Sequence, residues 1–262
     1  MADRREGVSV YYRINHTPDD RALESLWKLL RQDLNDALVQ EDSDQLALVL
    51  AQRASGRNWP DSVAGDMERH YSPGRTWEAT ARALVHLLDP GHVLDIASGD
   101  GVMGELLARQ ATYIDCIDLS PKVVAAGSQR VANFPNVAFH QGDMHVLPFE
   151  SARFDTVLML HALTFSGQPE QAIKEAVRVM KPGARLIVAT LKAHRYQAEV
   201  RSYGHVNTGF STRQLKTWCR NAGLDVSFCD VTSIEQRTPH FRIITLLARR
   251  GQSTQTPQRI TS

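Results

Sequence analysis

Apolar residues recur along this chain with two different periods, and the periods divide it. Pro18-Asp-Asp20 is a helix-start signal, and Leu23, Leu26, Trp27, Leu30, Leu34 and Leu38 follow it at spacings of three and four. That spacing predicts a helix with one apolar stripe. Asp42 to Arg53 repeats the pattern more briefly, and Ala54-Ser-Gly-Arg-Asn-Trp-Pro60 breaks it. A stripe of Leu and Trp needs a cover, either the main domain or a second copy of the chain, and the second is favoured. Residues 16–70 are therefore read as a helical extension and a candidate dimer contact.

Residues 71–250 read differently, with short apolar runs alternating with helical stripes. A helix with Trp77, Ala81, Leu84 and Leu87 ends near Asp89-Pro-Gly91. Strands are expected at Val93 to Ile96, Tyr113 to Leu119, Asn136 to His140, Phe154 to Leu160 and Arg185 to Ala189. Pro121 starts one helix between them, Pro169 to Met180 forms another, and Lys181-Pro-Gly-Ala184 is read as a turn. Strands this apolar are buried on both faces, which predicts an α/β fold with a parallel sheet between two layers of helices. At the end, Thr212 to Asn221 reads as a helix, and Leu224 to Val231 and Phe241 to Ala248 read as strands. No long helix separates those last two strands, so one of them is expected to be antiparallel. The polar tail, residues 251–262, is expected to be disordered. At the other end, Val8-Ser-Val-Tyr-Tyr-Arg-Ile14 favours a strand, with Gly7 at a hairpin tip. The charged Asp3-Arg-Arg-Glu6 before it does not read as a strand, so residues 1–15 look like half of a hairpin whose partner is missing.

Composition narrows the function classes. The chain has 262 residues and a formal charge of +1, so no global field favours nucleic acid or a membrane surface. Its first residues contain no apolar leader, and no run reaches the ~18 apolar residues that span a bilayer. Cys116, Cys219 and Cys229 form no CxxC pair. They read as reduced thiols of a cytoplasmic protein rather than as metal ligands.

The candidate chemistry lies in His92-Val-Leu-Asp-Ile-Ala-Ser-Gly-Asp-Gly-Val-Met-Gly104, a strand that runs through a glycine turn into a helix. In an open α/β sheet, ligands sit at the carboxyl ends of the strands. The residues expected there are Asp95 to Gly101, Asp118, Gly142-Asp-Met144 and His161 to Phe165. Asp118 suits a ribose, because its two oxygens can accept from both hydroxyls. Gly99-x-Gly-x-x-Gly104 also matches a dinucleotide fingerprint, so an NAD-linked oxidoreductase is a rival reading. Charge separates the two ligands. A pyrophosphate on this loop would be repelled by Asp95 and Asp100, whereas Asp95, Asp100, Asp118 and Asp143 together suit a positively charged sulfonium. Arg75 is a candidate salt-bridge partner for a ligand carboxylate.

These residues resemble class I S-adenosylmethionine-dependent methyltransferases, of the type 11-like kind, over about residues 70–250. Val93-Leu-Asp-Ile-Ala-Ser-Gly-Asp-Gly101 resembles the family's first motif, and Ile117-Asp-Leu-Ser120 its ribose-binding motif. Gly142-Asp-Met144 with Leu147-Pro-Phe149, and Arg178 to Leu186 around Lys181-Pro-Gly183, follow in the family's order. The resemblance implies a Rossmann-like, seven-stranded, mostly parallel sheet and S-adenosylmethionine as cofactor. It implies that Asp118, with Leu119 beside it, holds the ribose, that Asp143 meets the adenine amino group, and that Met144 packs on the ring. It also implies that Gly99 and Gly101 admit the methionine moiety. Ala97 stands where a glycine is usual and narrows the loop.

The flanks resemble something narrower. Asp3-Arg-Arg-Glu-Gly-Val-Ser-Val-Tyr-Tyr-Arg13 is similar to the wing of an ArsR-type winged-helix regulator. His205-Val-Asn-Thr-Gly-Phe-Ser211 is similar to a segment of proteins in which such a domain precedes a methyltransferase-like one. Here the chain starts at the wing, so a base-reading helix is missing, and Arg4, Arg5 and Arg13 offer only weak phosphate contact. A truncation of a longer product is one reading of this start, which the sequence does not decide. His161 and His205 are the candidate catalytic residues, as base or acceptor-orienting groups, with Tyr203 near the second. Arg237, Pro239, His240 and Phe241 are candidates for a pocket edge. The sequence thus supports a small-molecule methyltransferase first, and a ligand sensor without turnover second.

Overall fold

The computed structural model describes residues 2–6, 9–13, 46 and 76–252. The expected helical stripe with its dimer contact, Arg75 and the tail from residue 253 lie outside the described residues. The chain divides into two units, residues 1–75 and 76–262.

In the first unit, β1 (Ala2–Glu6) pairs antiparallel with β2 (Ser9–Arg13), with Glu6 opposite Ser9 and Ala2 opposite Arg13. The half-hairpin expectation is therefore corrected, because the partner strand is present in the chain itself. Asp3-Arg-Arg-Glu6 has no apolar alternation to mark it as a strand, and backbone pairing alone makes it one.

The second unit runs α1 (Trp77–Leu84), β3 (His92–Ile96), α2 (Val102–Leu107), β4 (Tyr113–Asp118), α3 (Pro121–Arg130), β5 (Val137–Gln141) and β6 (Phe154–Leu160). It continues with α4 (Pro169–Val179), β7 (Met180–Leu191), α5 (Gln197–Arg201), α6 (Thr212–Asn221), β8 (Leu224–Ile234) and β9 (Arg242–Arg250). The strands form one seven-stranded sheet in the order β5-β4-β3-β6-β7-β9-β8. β9 is antiparallel to both neighbours, and β3 to β7 are parallel to one another. This is the α/β, seven-stranded, mostly parallel Rossmann-like sheet that the sequence predicts.

Alternating side chains send the strands into two cores. Leu94, Ile96, Val157 and Met159 meet Ile173, Ala176 and Val177 of α4 and Leu215 of α6 on one face. Val93, Ile114, Cys116 and Leu158 meet Leu107 of α2 and Val85 on the other. Each such apolar side chain contributes ~1.5–3 kcal/mol when fully buried, so helices cover both faces. From β3 the chain steps outward through β4 to β5, then returns to β6 on the other side of β3. That reversal opens a crevice at the carboxyl ends of β3 and β6.

β7 also departs from expectation. It begins at Met180, so Lys181-Pro-Gly-Ala184 lies inside the strand rather than before it. The register jumps from Phe154↔Met180 to Thr156↔Arg185, and Gly183 takes a φ of +81°. The segment is a bulge in which a glycine absorbs the extra residues. No helix among the described residues is long and apolar enough to cross a membrane.

The parallel strands are tied together at Asp115, which is 1% exposed. Its carboxylate accepts from His92 Nε2 at 3.0 Å, His140 Nε2 at 2.6 Å and Arg153 Nη2 at 2.7 Å. One side chain of β4 thus fixes β3, β5 and the entry to β6, with Phe149 and Phe154 under the Arg153 guanidinium. Breaking a buried ion pair typically costs 3–5 kcal/mol, but the three partners here are partly exposed and can turn to water. Asp115→Ala is therefore expected to lower unfolding stability by about 2–3 kcal/mol in urea denaturation, with the sulfur-ligand affinity of the folded protein unchanged. A loss below about 0.5 kcal/mol would show that the three contacts contribute little.

Candidate functional site

At the carboxyl ends of β3, β4 and β6 lies a cavity of about 660 Å³, a size ordinary for small-molecule sites. Its floor is the turn after β3. There Ala97 and Gly99 take φ of +56° and +58°, and Ser98 N–H donates to the Ile117 carbonyl at 3.1 Å. Nothing lies within 4 Å of a Cβ built on Gly99, so it is the backbone conformation, not space, that favours glycine there. Ala97 takes the same left-handed conformation with a methyl group, at a strain of roughly 1–2 kcal/mol. The departure from glycine is thus carried by the backbone as well as by the width of the loop.

Asp118, at the end of β4, holds this turn. Its Oδ2 accepts from Gly99 N–H at 3.1 Å and its Oδ1 from Ser120 N–H at 3.0 Å. Each carboxylate oxygen keeps a second acceptor site, and Asp118 lines the cavity with Leu119 beside it. The strand-end segment after β5 adds Asp143 and Met144. Asp143 Oδ1 accepts from the backbone N–H of His145 at 2.8 Å and meets its Nδ1 at 2.6 Å. Those contacts, the backbone one first, hold the Asp143 carboxyl below the usual carboxylate range. His145 Nε2 in turn meets Ser166 Oγ at 2.7 Å, so one ring ties the segment after β5 to the end of the 3₁₀ turn Leu163–Phe165. His145 lines the cavity and was not among the expected site residues. Its place directly after Asp143-Met144 was the available signal.

His161 follows β6 and also lines the cavity, its N–H donating to the Ala189 carbonyl at 2.7 Å. Its φ is +62°, an uncommon conformation for a residue with a Cβ. The residue as a whole is exposed, and its ring is only partly screened from water. That desolvation lowers its pKa, against an opposing pull from Glu235, and keeps the imidazole neutral near pH 7. His205 does not line this cavity. Its ring sits 4.6 Å from that of Phe165, which does, and its pKa is lowered by burial and then by His194 and His161.

Three expected contributors stand elsewhere. Asp100 turns outward and pairs with Arg130 at 2.6 Å, so it does not face the cavity. The ring of four carboxylates is corrected to Asp118 and Asp143 on the wall with Asp95 beneath it. Gly101 is the N-cap of α2 with a φ of +83°, and a Cβ there would fall 2.6 Å from Phe139 Cζ. A glycine there meets a packing demand behind the turn, and Gly101 is not among the residues that line the cavity. Asp95 lies under the turn, 3% exposed, and its Oδ2 is buried without a hydrogen-bond partner. Burial, and then the charge of Asp118, push its pKa up to about 7. The three cysteines are buried, and no group of residues able to hold a metal ion occurs among the described residues.

The chain matches the family described as methyltransferase domain over residues 94–188. It is 31% identical over 110 residues to the demethylmenaquinone methyltransferase of Clavibacter sepedonicus, covering 42% of this chain and 44% of that protein. It is 32% identical over 174 residues to the demethylmenaquinone methyltransferase of Beutenbergia cavernae, covering 62% of this chain and 71% of that one. The chain spans about half the length of the first of these curated relatives. Among solved structures it is similar to the N-methyltransferase NodS from Bradyrhizobium japonicum WM9, in complex with S-adenosylhomocysteine. That likeness has a TM-score of 0.52 at 19% identity, covering 76% of this chain and 95% of NodS.

Asp95 gives the site a pH signature. Folding raises its pKa from 3.8 to about 7, so the folded chain binds that proton more tightly than the unfolded one. The stabilisation is complete below about pH 4 and is lost as pH rises to and through about 7, for a swing of roughly 4 kcal/mol. Asp95→Asn carries no such proton. Subtracting its unfolding free energy from that of the parent, in urea denaturation from pH 4 to pH 9, should give a difference that falls across this window. A pH-independent difference would show that Asp95 is ionised in the fold throughout.

Proposed function

We propose that this chain, which belongs to the class I S-adenosylmethionine-dependent methyltransferase family, transfers a methyl group from S-adenosylmethionine to a small-molecule acceptor. The observation that carries this reading is Asp118, a carboxylate fixed by two backbone N–H groups at the wall of the cavity with acceptor capacity to spare.

The residues present fit the cofactor. Asp118 would take the ribose hydroxyls, and Asp143, whose Oδ2 has no protein partner among the described contacts, would take the adenine amino group. Met144 and Leu119 supply apolar surface for a ring. The unpartnered Asp95 Oδ2 puts unused acceptor capacity under the turn. A pyrophosphate has no comparable partner among the described residues: Asp118 holds the turn, Asp95 lies under it, and no described Lys or Arg lines the cavity. Bound, the cofactor supplies a methyl group on a positively charged sulfur, whose S–C electron pair stays on sulfur as the acceptor's lone pair forms the new bond.

The chain's own share is alignment and proton handling. His161 faces the cavity as a neutral imidazole and can accept a proton from an acceptor that must lose one. His205, behind Phe165, shapes the same side. The names of the two curated relatives support a small-molecule acceptor over a macromolecular one.

A second reading, ligand sensing without turnover, draws on the Ala2–Glu6/Ser9–Arg13 hairpin and its resemblance to a winged-helix wing. Calorimetric titration separates the readings in two steps. S-adenosylmethionine and S-adenosylhomocysteine are expected to bind, NAD to give no heat, and Asp118→Ala to weaken both sulfur ligands tenfold or more, the size of a lost charged hydrogen bond. No heat with either sulfur ligand overturns both readings. Methyl release is then followed from labelled cofactor against metabolite extracts. His161→Asn keeps a residue type that tolerates the left-handed backbone. It is expected to lower turnover by about 10²–10⁴ with cofactor affinity little changed. Binding without turnover of any acceptor leaves sensing as the function.

A further inference from the structure

A second cavity, of about 380 Å³, opens beyond the ends of β7 and β9. Its volume also falls within the range of small-molecule sites. Its walls include Lys192, His194 and Tyr196 from the segment after β7, His240 and Phe241 from the β8–β9 connection, and Arg242 at the start of β9.

Two of these residues are placed in a way that calls for a counter-charge. Lys192 N–H donates to the Arg242 carbonyl at 2.8 Å, one step beyond the Leu191↔Ile243 pair of the β7–β9 ladder. The two residues therefore stand directly opposite on antiparallel strands, with their side chains on one face. Like charges so placed destabilise a sheet. Among the described residues neither side chain has a carboxylate partner, and no carboxylate lines the cavity. The acids flanking it, Glu199 and Glu235, act on His194 and His161.

The remaining wall is a set of rings. His194 stacks on Tyr196 at 5.9 Å and 28°, and Phe241 lies 4.7 Å from His194 and 6.0 Å from Tyr196. Tyr196 N–H donates to His194 Nδ1 at 3.1 Å, which fixes the ring and leaves the proton on Nε2. That Nε2 is buried without a partner, as is Nδ1 of His205. His205 stands between the cavities: it touches Phe165 of the first and feels the charge of His194 of the second.

We propose that the second cavity binds the anionic end of the methyl acceptor, a planar ring bearing a carboxylate or a phosphate. Lys192 and Arg242 take the anion, the His194–Tyr196–Phe241 cluster takes the ring, and the reacting atom reaches past His205 toward His161. This rests on the methyltransferase reading of the first cavity and deepens it. Carboxylates border the first cavity and cations the second, so a cationic donor and an anionic acceptor are sorted by charge before they meet.

The test loads the full chain with S-adenosylhomocysteine and titrates it with 2-naphthoate, 2-naphthyl phosphate and uncharged 2-naphthol. At least one anion is expected to bind tenfold or more tightly than the naphthol, and the tighter of the two identifies the head group. Lys192→Ala and Arg242→Ala should each weaken that anion about tenfold while leaving S-adenosylhomocysteine affinity unchanged. Phe241→Ala should weaken it as well, and inorganic phosphate alone should bind far more weakly. Equal binding of the naphthol, or anion affinity within twofold in both cation variants, overturns the proposal. Inorganic phosphate binding as tightly as the naphthyl compounds overturns the aromatic part. Failure of S-adenosylhomocysteine itself to bind would instead sink the methyltransferase reading, so the two failures are distinguishable.

Discussion

The carboxylate of Asp118 is the joint on which the rest of the site depends. It stands at the end of β4 and accepts the N–H of Gly99 on one side and of Ser120 on the other. A turn with two left-handed residues in three, Ala97 and Gly99, is otherwise an uneasy path for the chain. Anchoring it to a neighbouring strand by a charged acceptor holds the backbone where a ligand can meet it. The same charge disfavours ionisation of Asp95 beneath. One side chain thereby fixes the shape of the floor and adds to the burial that raises the pKa of Asp95 under it.

That joint works because the sheet delivers strand ends to a common edge. The order β5-β4-β3-β6-β7-β9-β8 brings the ends of β3, β4 and β6 beside one another, and apolar residues on both faces lock the strands in register. Asp115 adds a polar pin lower in the same sheet, held by three donors that come from distant points in the chain. Stability and ligand geometry are thus assigned to different levels of one strand, Asp115 below and Asp118 at the tip.

Most of this was readable from local pattern. The apolar runs at 93–96, 113–118 and 154–160 announce doubly buried strands, and Asp118 and Asp143 could be placed at strand ends by counting along the sequence. What pattern did not carry was pairing at a distance. Asp100 looks like a site residue until Arg130, 30 positions later, turns it outward. Gly101 reads as room for a ligand until Phe139 fills the space behind it. Charged Asp3-Arg-Arg-Glu6 has no strand period, and only its ladder to residues 9–13 makes it one. His194 carries no signal in the sequence, because Phe241, which closes its ring cluster with the neighbouring Tyr196, meets it only when β7 and β9 are side by side.

The reversed direction of β9 separates one loop of this edge from the other. Because β9 runs against its neighbours, the connection from Ile234 to Arg242 returns to the same edge of the sheet as the ends of β6 and β7. That connection shares no hydrogen bond with the turn that Asp118 holds. A change in that connection can therefore reshape the second cavity while leaving the floor of the first as it is. The two ends of the crevice are mechanically separable, one set by the β3 turn and the other by the return of β9.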